Sequence, residues 1–312
     1  MGQGAARRGR PCHLERSAVR VNGPHPGGPR RGSPGHPPRR DRRPGRPRPG
    51  HRRRDPRPVR LDGKIAIVTG AGRGIGAAVA ERFAGAGASV VVADIEGGSA
   101  QRTRASIEEA GGRAVAVAAD VSTVEGNRAM IAAAVDLGGI DIFHANAAIQ
   151  FMGILEATGE SDWDALHATN LRGVYLGVRE ALPHLRARGG GSILITASVL
   201  GIVGDPDMPA YGAMKGGLRA LCRSLATAHG PDNIRCNTIC PGDVETPMGA
   251  DFFAHQDDPD AARAAIVERY PLRRFATPAD VANVALFLAS DEASYLTGID
   301  VVVDGGLLAQ VY

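Results

Sequence analysis

From residue 64 onward, seven short apolar runs without polar alternation punctuate the chain: 64–69 (KIAIVT), 90–93 (VVVA), 114–118 (AVAVA), 140–143, 192–196 (SILIT), 234–239 and 301–303. A strand that presents apolar side chains on both faces needs cover on both, which a parallel sheet provides. Between the runs lie Ala-rich stretches with apolar residues at helical spacing, at 75–86, 99–110, 124–135, 161–188, 209–229 and 278–289. Strand and helix alternate without a break. This predicts an α/β fold with a doubly wound parallel sheet, a Rossmann fold. No long linker interrupts residues 60–312, so they are expected to form one domain.

Residues 1–59 show neither period. The first 60 residues hold 18 Arg, no Lys, 12 Pro and 10 Gly against three acids, Glu15, Asp41 and Asp55. The remaining 252 residues hold 19 basic and 30 acidic groups, so the overall charge of +4 belongs to the N-terminal segment. Such a stretch buries too little apolar surface to offset its ordering entropy, and we expect it to be disordered. Three readings of it compete: a nucleic-acid-binding tail through runs such as Arg52-Arg53-Arg54, a transit peptide, and an appended stretch with no bearing on the fold. The last is preferred, because the segment is neither Ser-rich nor amphipathic.

The four cysteines, Cys12, Cys222, Cys236 and Cys240, form no CxxC pair. They read as reduced structural thiols of a cytoplasmic protein, with no metal site. No apolar run reaches the roughly 18 residues of a membrane span.

Candidate chemistry lies at two places. Thr69-Gly70-Ala71-Gly72-Arg73-Gly74-Ile75-Gly76 follows the first strand and opens the first helix. Glycines there allow a tight turn and close approach of a pyrophosphate to the helix N-terminus. Asp94 ends the second strand, 18 residues after Gly76. Its carboxylate suits a ribose diol and repels a 2′-phosphate, which favours NAD over NADP, although Arg73 could pair with such a phosphate. Asp120-Val121 and Asn146-Ala147-Ala148 close the third and fourth strands, at the sheet edge where ligands bind.

The second place holds Tyr211 and Lys215, four residues apart and so on one helix face. An ammonium about 4 Å from a phenol contributes roughly 4 kcal/mol to the phenolate at an effective dielectric near 20, about three pKa units before desolvation. The pair is thus expected to bring the phenol toward working pH. Lys64 and Lys215 are the only lysines beside 35 arginines, which suggests that a compact ammonium is needed at 215. Ser198, 13 residues before Tyr211, is placed to hold a substrate oxygen. Asn170, inside a helical stretch, needs a task for its amide and could hold a water linking Lys215 to solvent.

With these motifs in order, residues 61–312 resemble the shorter branch of the short-chain dehydrogenase/reductase family. The resemblance rests on TGxxxGxG (Thr69 to Gly76), Asp94, Asp120-Val121, Asn146-Ala147-Ala148, and the set Asn170, Ser198, Tyr211 and Lys215. It extends to Pro241-Gly242 with Val244 and Thr246, and to the ending Asp304-Gly305-Gly306. It implies Tyr211 as acid/base, Ser198 as substrate-orienting group and Lys215 as ribose ligand and pKa modulator. It further implies Asn170 as holder of a relay water, and Pro241, Gly242, Val244 and Thr246 as nicotinamide contacts. Gly70, Gly72, Arg73, Gly74, Ile75, Gly76, Asp94, Asp120, Val121, Asn146 and Ala147 would complete the cofactor site. A homodimer or homotetramer through the helices at 161–188 and 209–229 is implied as well. Ala145, Ala148 and Cys240 depart from the family's usual residues, and we expect cofactor affinity to feel this before the reaction does.

The expected function is hydride transfer between NAD, less readily NADP, and a secondary alcohol or ketone such as a sugar, polyol, cyclic alcohol or 3-oxoacyl substrate. Residues 243–270, with Met248, Phe252 and Phe253, are expected to form a mobile lid, and Ile149, Gln150, Val199 and Met208 to line the pocket. Two other classes compete: a catalytically silent dinucleotide sensor on the same fold, and a nucleic-acid binder through the basic tail.

Overall fold

The computed structural model describes residues 59–254 and 257–310. The expected disordered extension, apart from Val59, lies outside them. Seven strands, β1 (Ile65–Thr69), β2 (Ser89–Asp94), β3 (Arg113–Ala118), β4 (Ile142–Ala145), β5 (Gly191–Thr196), β6 (Ile234–Pro241) and β7 (Asp300–Val303), pair in the order β3-β2-β1-β4-β5-β6-β7. Every pairing is parallel. The chain winds outward from β1 to β3, then returns to lay β4 on the other side of β1. The loops leaving β1 and β4 therefore part and open a crevice at the carboxyl edge of the sheet.

Alternate residues of every strand but β7 enter two separate cores. Ala66 and Val68 of β1 pack with Val79, Ala80 and Phe83 of α1 (Gly74–Gly85), and with Val281, Ala285 and Leu288 of the last long helix, Pro278–Ala289. Ile65 and Ile67 pack on the opposite face with Met130 and Ala134 of α3 (Val124–Asp136), which follows α2 (Gly97–Glu109). That face continues through Val178 and Leu185 of α5 (Gly173–Ala187) and Leu218 and Cys222 of α6 (Pro209–His229). This two-sided burial is why the strands read as unbroken apolar runs.

The helix expected at 161–188 is not regular. It consists of α4 (Glu160–Leu166), a π-helical turn (His167–Arg172) and α5. Residues 243–270, read as a lid without assigned structure, hold α7 (Pro247–Ala254) and α8 (Pro259–Glu268) ahead of α9, the helix Pro278–Ala289. Asp258 starts α8 by accepting from the Ala261 N–H at 3.0 Å. Strand β4 begins two residues later than expected, at Ile142; just before it the Asp141 carboxylate accepts from the Ile65 N–H at 2.9 Å.

Phe83 is fully buried where α1, α9 and the sheet meet. Phe83→Ala is expected to lower unfolding stability by about 3–5 kcal/mol, through lost transfer energy and an unfilled cavity. Urea unfolding would show a lower midpoint at unchanged slope; a loss under about 1 kcal/mol would contradict this account of the core.

Candidate active site

The crevice is a cavity of about 1050 Å³ that runs from the glycine loop to the loops after β5 and β6. At its nucleotide end, Gly70 adopts φ +62°, and a Cβ there would lie 2.8 Å from the Ala147 Cα. A Cβ on Gly76 would fall 2.1 Å from the Gly70 carbonyl, so the start of α1 can rest against the end of β1 only without a side chain. No side chain caps α1, whose first-turn N–H groups stay open toward the cavity. Asn146 closes the loop from the β4 side. Its Nδ2 donates to the carbonyls of Thr69 (3.0 Å) and Gly70 (3.4 Å), while its own N–H and that of Ala147 donate to Thr69 Oγ1 at 2.9 and 3.1 Å.

Asp94 lies half-buried at the end of β2. Its carboxylate accepts from the Gly72 N–H at 2.8 Å and from the Glu96 N–H at 2.9 Å. Arg73 stands exposed at the rim of the same cavity. The residues present fit a dinucleotide: an uncapped helix N-terminus for the pyrophosphate, a glycine turn that a Cβ would obstruct, and a carboxylate fixed beside both.

At the other end, Ser198 begins a single 3₁₀ turn, Val199–Gly201, directly after β5. Its Oγ accepts from the Leu200 N–H at 3.1 Å, which leaves the hydroxyl proton free to be donated into the cavity. Tyr211 and Lys215 lie on α6 and both face the cavity. Lys215 is 2% exposed, and its Nζ donates to the Thr196 carbonyl at 2.8 Å. One turn further, Arg219 donates to the Gly201 carbonyl and to Asp300 on β7, which ties the Ser198 turn to the helix bearing the phenol.

The expected depression of the phenol by its ammonium is absent from this state. Nζ is committed to Thr196 and stands 5.4 Å from the centroid of the Tyr211 ring. Burial governs both groups: it pushes the Tyr211 phenol up to about 12 and the Lys215 ammonium down to about 8.

Asn170 sits in the π turn, 1% exposed. Its Oδ1 accepts from the Ile149 N–H at 2.9 Å and its Nδ2 donates to the Ile149 carbonyl at 2.8 Å. The amide therefore fastens the loop after β4. The irregular helix carries this Asn at a position where a regular one would disfavour it.

Of the residues singled out from sequence, Gly70, Arg73, Gly74, Ile75, Asp94, Asn146, Ala147, Ser198, Tyr211, Lys215, Pro241, Gly242, Val244 and Thr246 line the cavity. Gly72, Gly76 and Asn170 stand behind its wall and shape it. Asp120 and Val121 do not line it: the Asp120 carboxylate accepts from the N–H and Oγ of Ser122, and the Val121 carbonyl accepts from Asn127. Sequence reasoning missed Thr196 and Tyr270. The Tyr270 hydroxyl donates to the Asp243 carboxylate at 2.7 Å and accepts from the Asp243 N–H at 2.8 Å, fixing the turn after Pro241-Gly242. Neither residue carried a local signal, since 27 residues separate Tyr270 from its partner. Met248, Phe252 and Phe253 line the cavity, and Gln150 Nε2 donates to the Met248 carbonyl at 3.1 Å.

The Lys215 ammonium loses protons near 8 in the folded chain and near its ordinary value of 10.5 when unfolded. Folding therefore bears the desolvation cost in full below pH 8 and sheds it as pH rises to 10.5. Lys215→Met is expected to be more stable than the wild type at pH 7, by up to about 3 kcal/mol, with the advantage fading across that window. Urea unfolding of both proteins at stepped pH checks this; a pH-independent difference would refute it. Asn170→Leu strands the N–H and carbonyl of Ile149 and is expected to cost about 2–4 kcal/mol by the same measurement.

The sequence model of a family described as enoyl-(acyl carrier protein) reductase matches residues 70–308. The chain is similar to 3beta-hydroxysteroid dehydrogenase 1 of Eggerthella lenta, 41% identical over 252 residues that cover 79% of this chain and 94% of that protein. It is also similar to meso-2,3-butanediol dehydrogenase of Serratia marcescens, 39% identical over 80% of this chain and 97% of the relative. A solved Beutenbergia cavernae protein, assigned as an NAD(P)-dependent gluconate 5-dehydrogenase and holding NADP, superposes with a TM-score of 0.76. It is 35% identical and covers 81% of this chain and all of its own. Fold, crevice and these likenesses agree: the chain belongs to the short-chain dehydrogenase/reductase family of NAD(P)-binding oxidoreductases.

Proposed function

We propose that the chain interconverts a predominantly apolar secondary alcohol and its ketone, with NAD preferred over NADP. The observation that carries this reading is that Ser198, Tyr211 and Lys215 line one continuous cavity with Gly70, Gly74 and Asp94. The nicotinamide, when bound, accepts or donates the hydride. The chain's own residues manage the oxygen. Ser198 donates its hydroxyl proton to the substrate oxygen, and the Tyr211 phenol gives the proton in reduction and receives it in oxidation. Lys215, seated on the Thr196 carbonyl, supplies a positive charge beside the phenol and a donor for the nicotinamide ribose. Asn170 acts through the loop it fastens. Pro241, Gly242, Val244 and Thr246 would hold the nicotinamide end, and Gly70 to Gly76 the pyrophosphate.

Val199, Val203, Met208, Met248, Phe252 and Phe253 give the substrate end an apolar lining. Arg263, also at this end, is occupied by Glu245 and by the face of Phe275. This supports a cyclic or otherwise bulky apolar alcohol over a sugar or polyol, in keeping with the hydroxysteroid relative. Asp94 supports NAD, because a 2′-phosphate would meet a carboxylate already held in place by the Gly72 N–H. The half-exposed Tyr175 on α5 and Trp163 on α4 support association of copies through these helices as a dimer or tetramer. No described helix is long and apolar enough to cross a membrane.

Tyr211→Phe is expected to lower turnover at least about a thousandfold while NADH affinity changes less than about twofold, read by steady-state kinetics and fluorescence titration. Retained turnover would sink the assignment. Because burial favours the protonated phenol, kcat/KM for alcohol oxidation should rise with pH from 7 to 10, while that for ketone reduction should not. An oxidation plateau reached below pH 7 would exclude the phenol as base. Asp94→Asn should shift the NAD-to-NADP ratio of kcat/KM toward NADP by about tenfold or more; an unchanged ratio would remove Asp94 from the cofactor reading.

A further inference from the structure

His144 occupies a β4 position that the surrounding pattern would fill with an aliphatic side chain. It pairs with Val68 of β1 and Leu194 of β5, is fully buried, and its ring centroid lies 6.4 Å from that of Phe83. Its Nε2 lies 2.9 Å from Thr196 Oγ1, while its Nδ1 is buried with no hydrogen-bond partner. A half-satisfied imidazole in an apolar core is costly, so its one hydrogen bond calls for explanation.

The direction of that bond follows from its neighbours. The Asn146 amide nitrogen is fixed by two carbonyls, those of Thr69 and Gly70, so Oδ1 is the atom that faces Thr196. An amide oxygen only accepts, hence Thr196 Oγ1 donates its single proton to Asn146, at 3.1 Å. Thr196 then has only lone pairs left for His144, which must donate through Nε2–H. The ring is the neutral Nε2–H tautomer and the bare Nδ1 is the consequence. Burial holds it there, lowering the imidazole to about 3.

We propose that His144 is a positioning residue for the cofactor crevice: it starts a one-way buried chain, His144 to Thr196 to Asn146 to the Thr69 and Gly70 carbonyls, that orients the glycine loop. Thr196 is the junction, because its hydroxyl serves this chain while its carbonyl seats Lys215. With an aliphatic residue at 144, the Thr196 hydroxyl would lose the donor that keeps its proton aimed at Asn146. The Asn146 amide would then lose its register against the loop. The inference rests on the proposed binding of a dinucleotide by that loop.

The tautomer is tested on the wild-type full chain with ¹⁵N-labelled histidine, the ring of His144 being assigned by through-bond connectivity. The expected spectrum shows a protonated Nε2 and an unprotonated Nδ1, unchanged from pH 5 to 9. An Nδ1–H tautomer, or titration in that range, overturns the proposal. NADH titration of variants tests the coupling. His144→Leu is expected to weaken NADH binding about fivefold with kcat within about twofold, as for one neutral hydrogen bond. His144→Gln, whose amide nitrogen can take the place of Nε2, should restore affinity to within about twofold. Unchanged NADH affinity in His144→Leu, or equal loss in both variants, would reduce His144 to packing. A wild type that binds no NADH would instead sink the proposed function and leave the tautomer result standing.

Discussion

A buried ammonium resting on the carbonyl at the end of β5 is the contact on which the architecture of the crevice turns. Lys215 reaches the Thr196 carbonyl at 2.8 Å from a helix that also sends Leu218, Cys222 and Ala226 into an apolar core, so its charge is taken out of water for a single neutral acceptor. Such a placement is unfavourable by itself. It persists because α6 is anchored independently on both sides: Leu218 and Cys222 bury against the sheet, and Arg219 bridges the Gly201 carbonyl and Asp300. Helix packing holds the ammonium where solvation alone would not. The same helix then delivers the phenol to the edge of the sheet where Ser198 turns away.

The crevice is accordingly supported by rigid elements on three sides and by short helices on the fourth. The glycine loop is pinned between β1 and β4 through Thr69 and Asn146, and the turn after β6 is pinned by Tyr270 through Asp243. The roof, α7 and α8, meets the body through aromatic contacts: Phe253 stacks on Phe275 at 5.7 Å, and Tyr270 meets the same ring edge-on at 5.6 Å. Cofactor-facing groups are thus fixed by hydrogen bonds, which are directional. The apolar end is closed chiefly by ring packing, with the Gln150–Met248 hydrogen bond and the Arg263–Glu245 pair beside it.

Much of this was legible in the amino-acid sequence, for identifiable reasons. Two-sided burial writes itself as unbroken apolar runs, so strands and sheet type could be read directly; spacing of four placed Tyr211 with Lys215, and glycines marked the turn before α1. What escaped reading depends on partners far apart in sequence. Nothing near Tyr270 announces that it braces Asp243, and nothing near Thr196 announces that it serves Lys215 with its carbonyl and Asn146 with its hydroxyl. Asn170 was singled out for the right reason, an unfavourable place in a helix, but its amide meets the backbone of Ile149. The acidity expected of the phenol is outweighed in this state by burial, which disfavours the charged forms of both Tyr211 and Lys215.

The π turn has a consequence for how this chain can vary. Leu166, Asn170, Val174 and Val178 are all buried, and each lies four residues after the last. In a regular helix steps of four drift by about 40° each, so such a series would wander off the inner face. The wider turn at His167–Arg172 absorbs that drift. Losing one residue from this stretch would restore a regular helix, whose seven steps of about 100° would leave Val174 in nearly the same phase relative to Leu166. A single-codon deletion can therefore keep α5 in phase with α4, and what it would remove is the widened turn in which Asn170 is held.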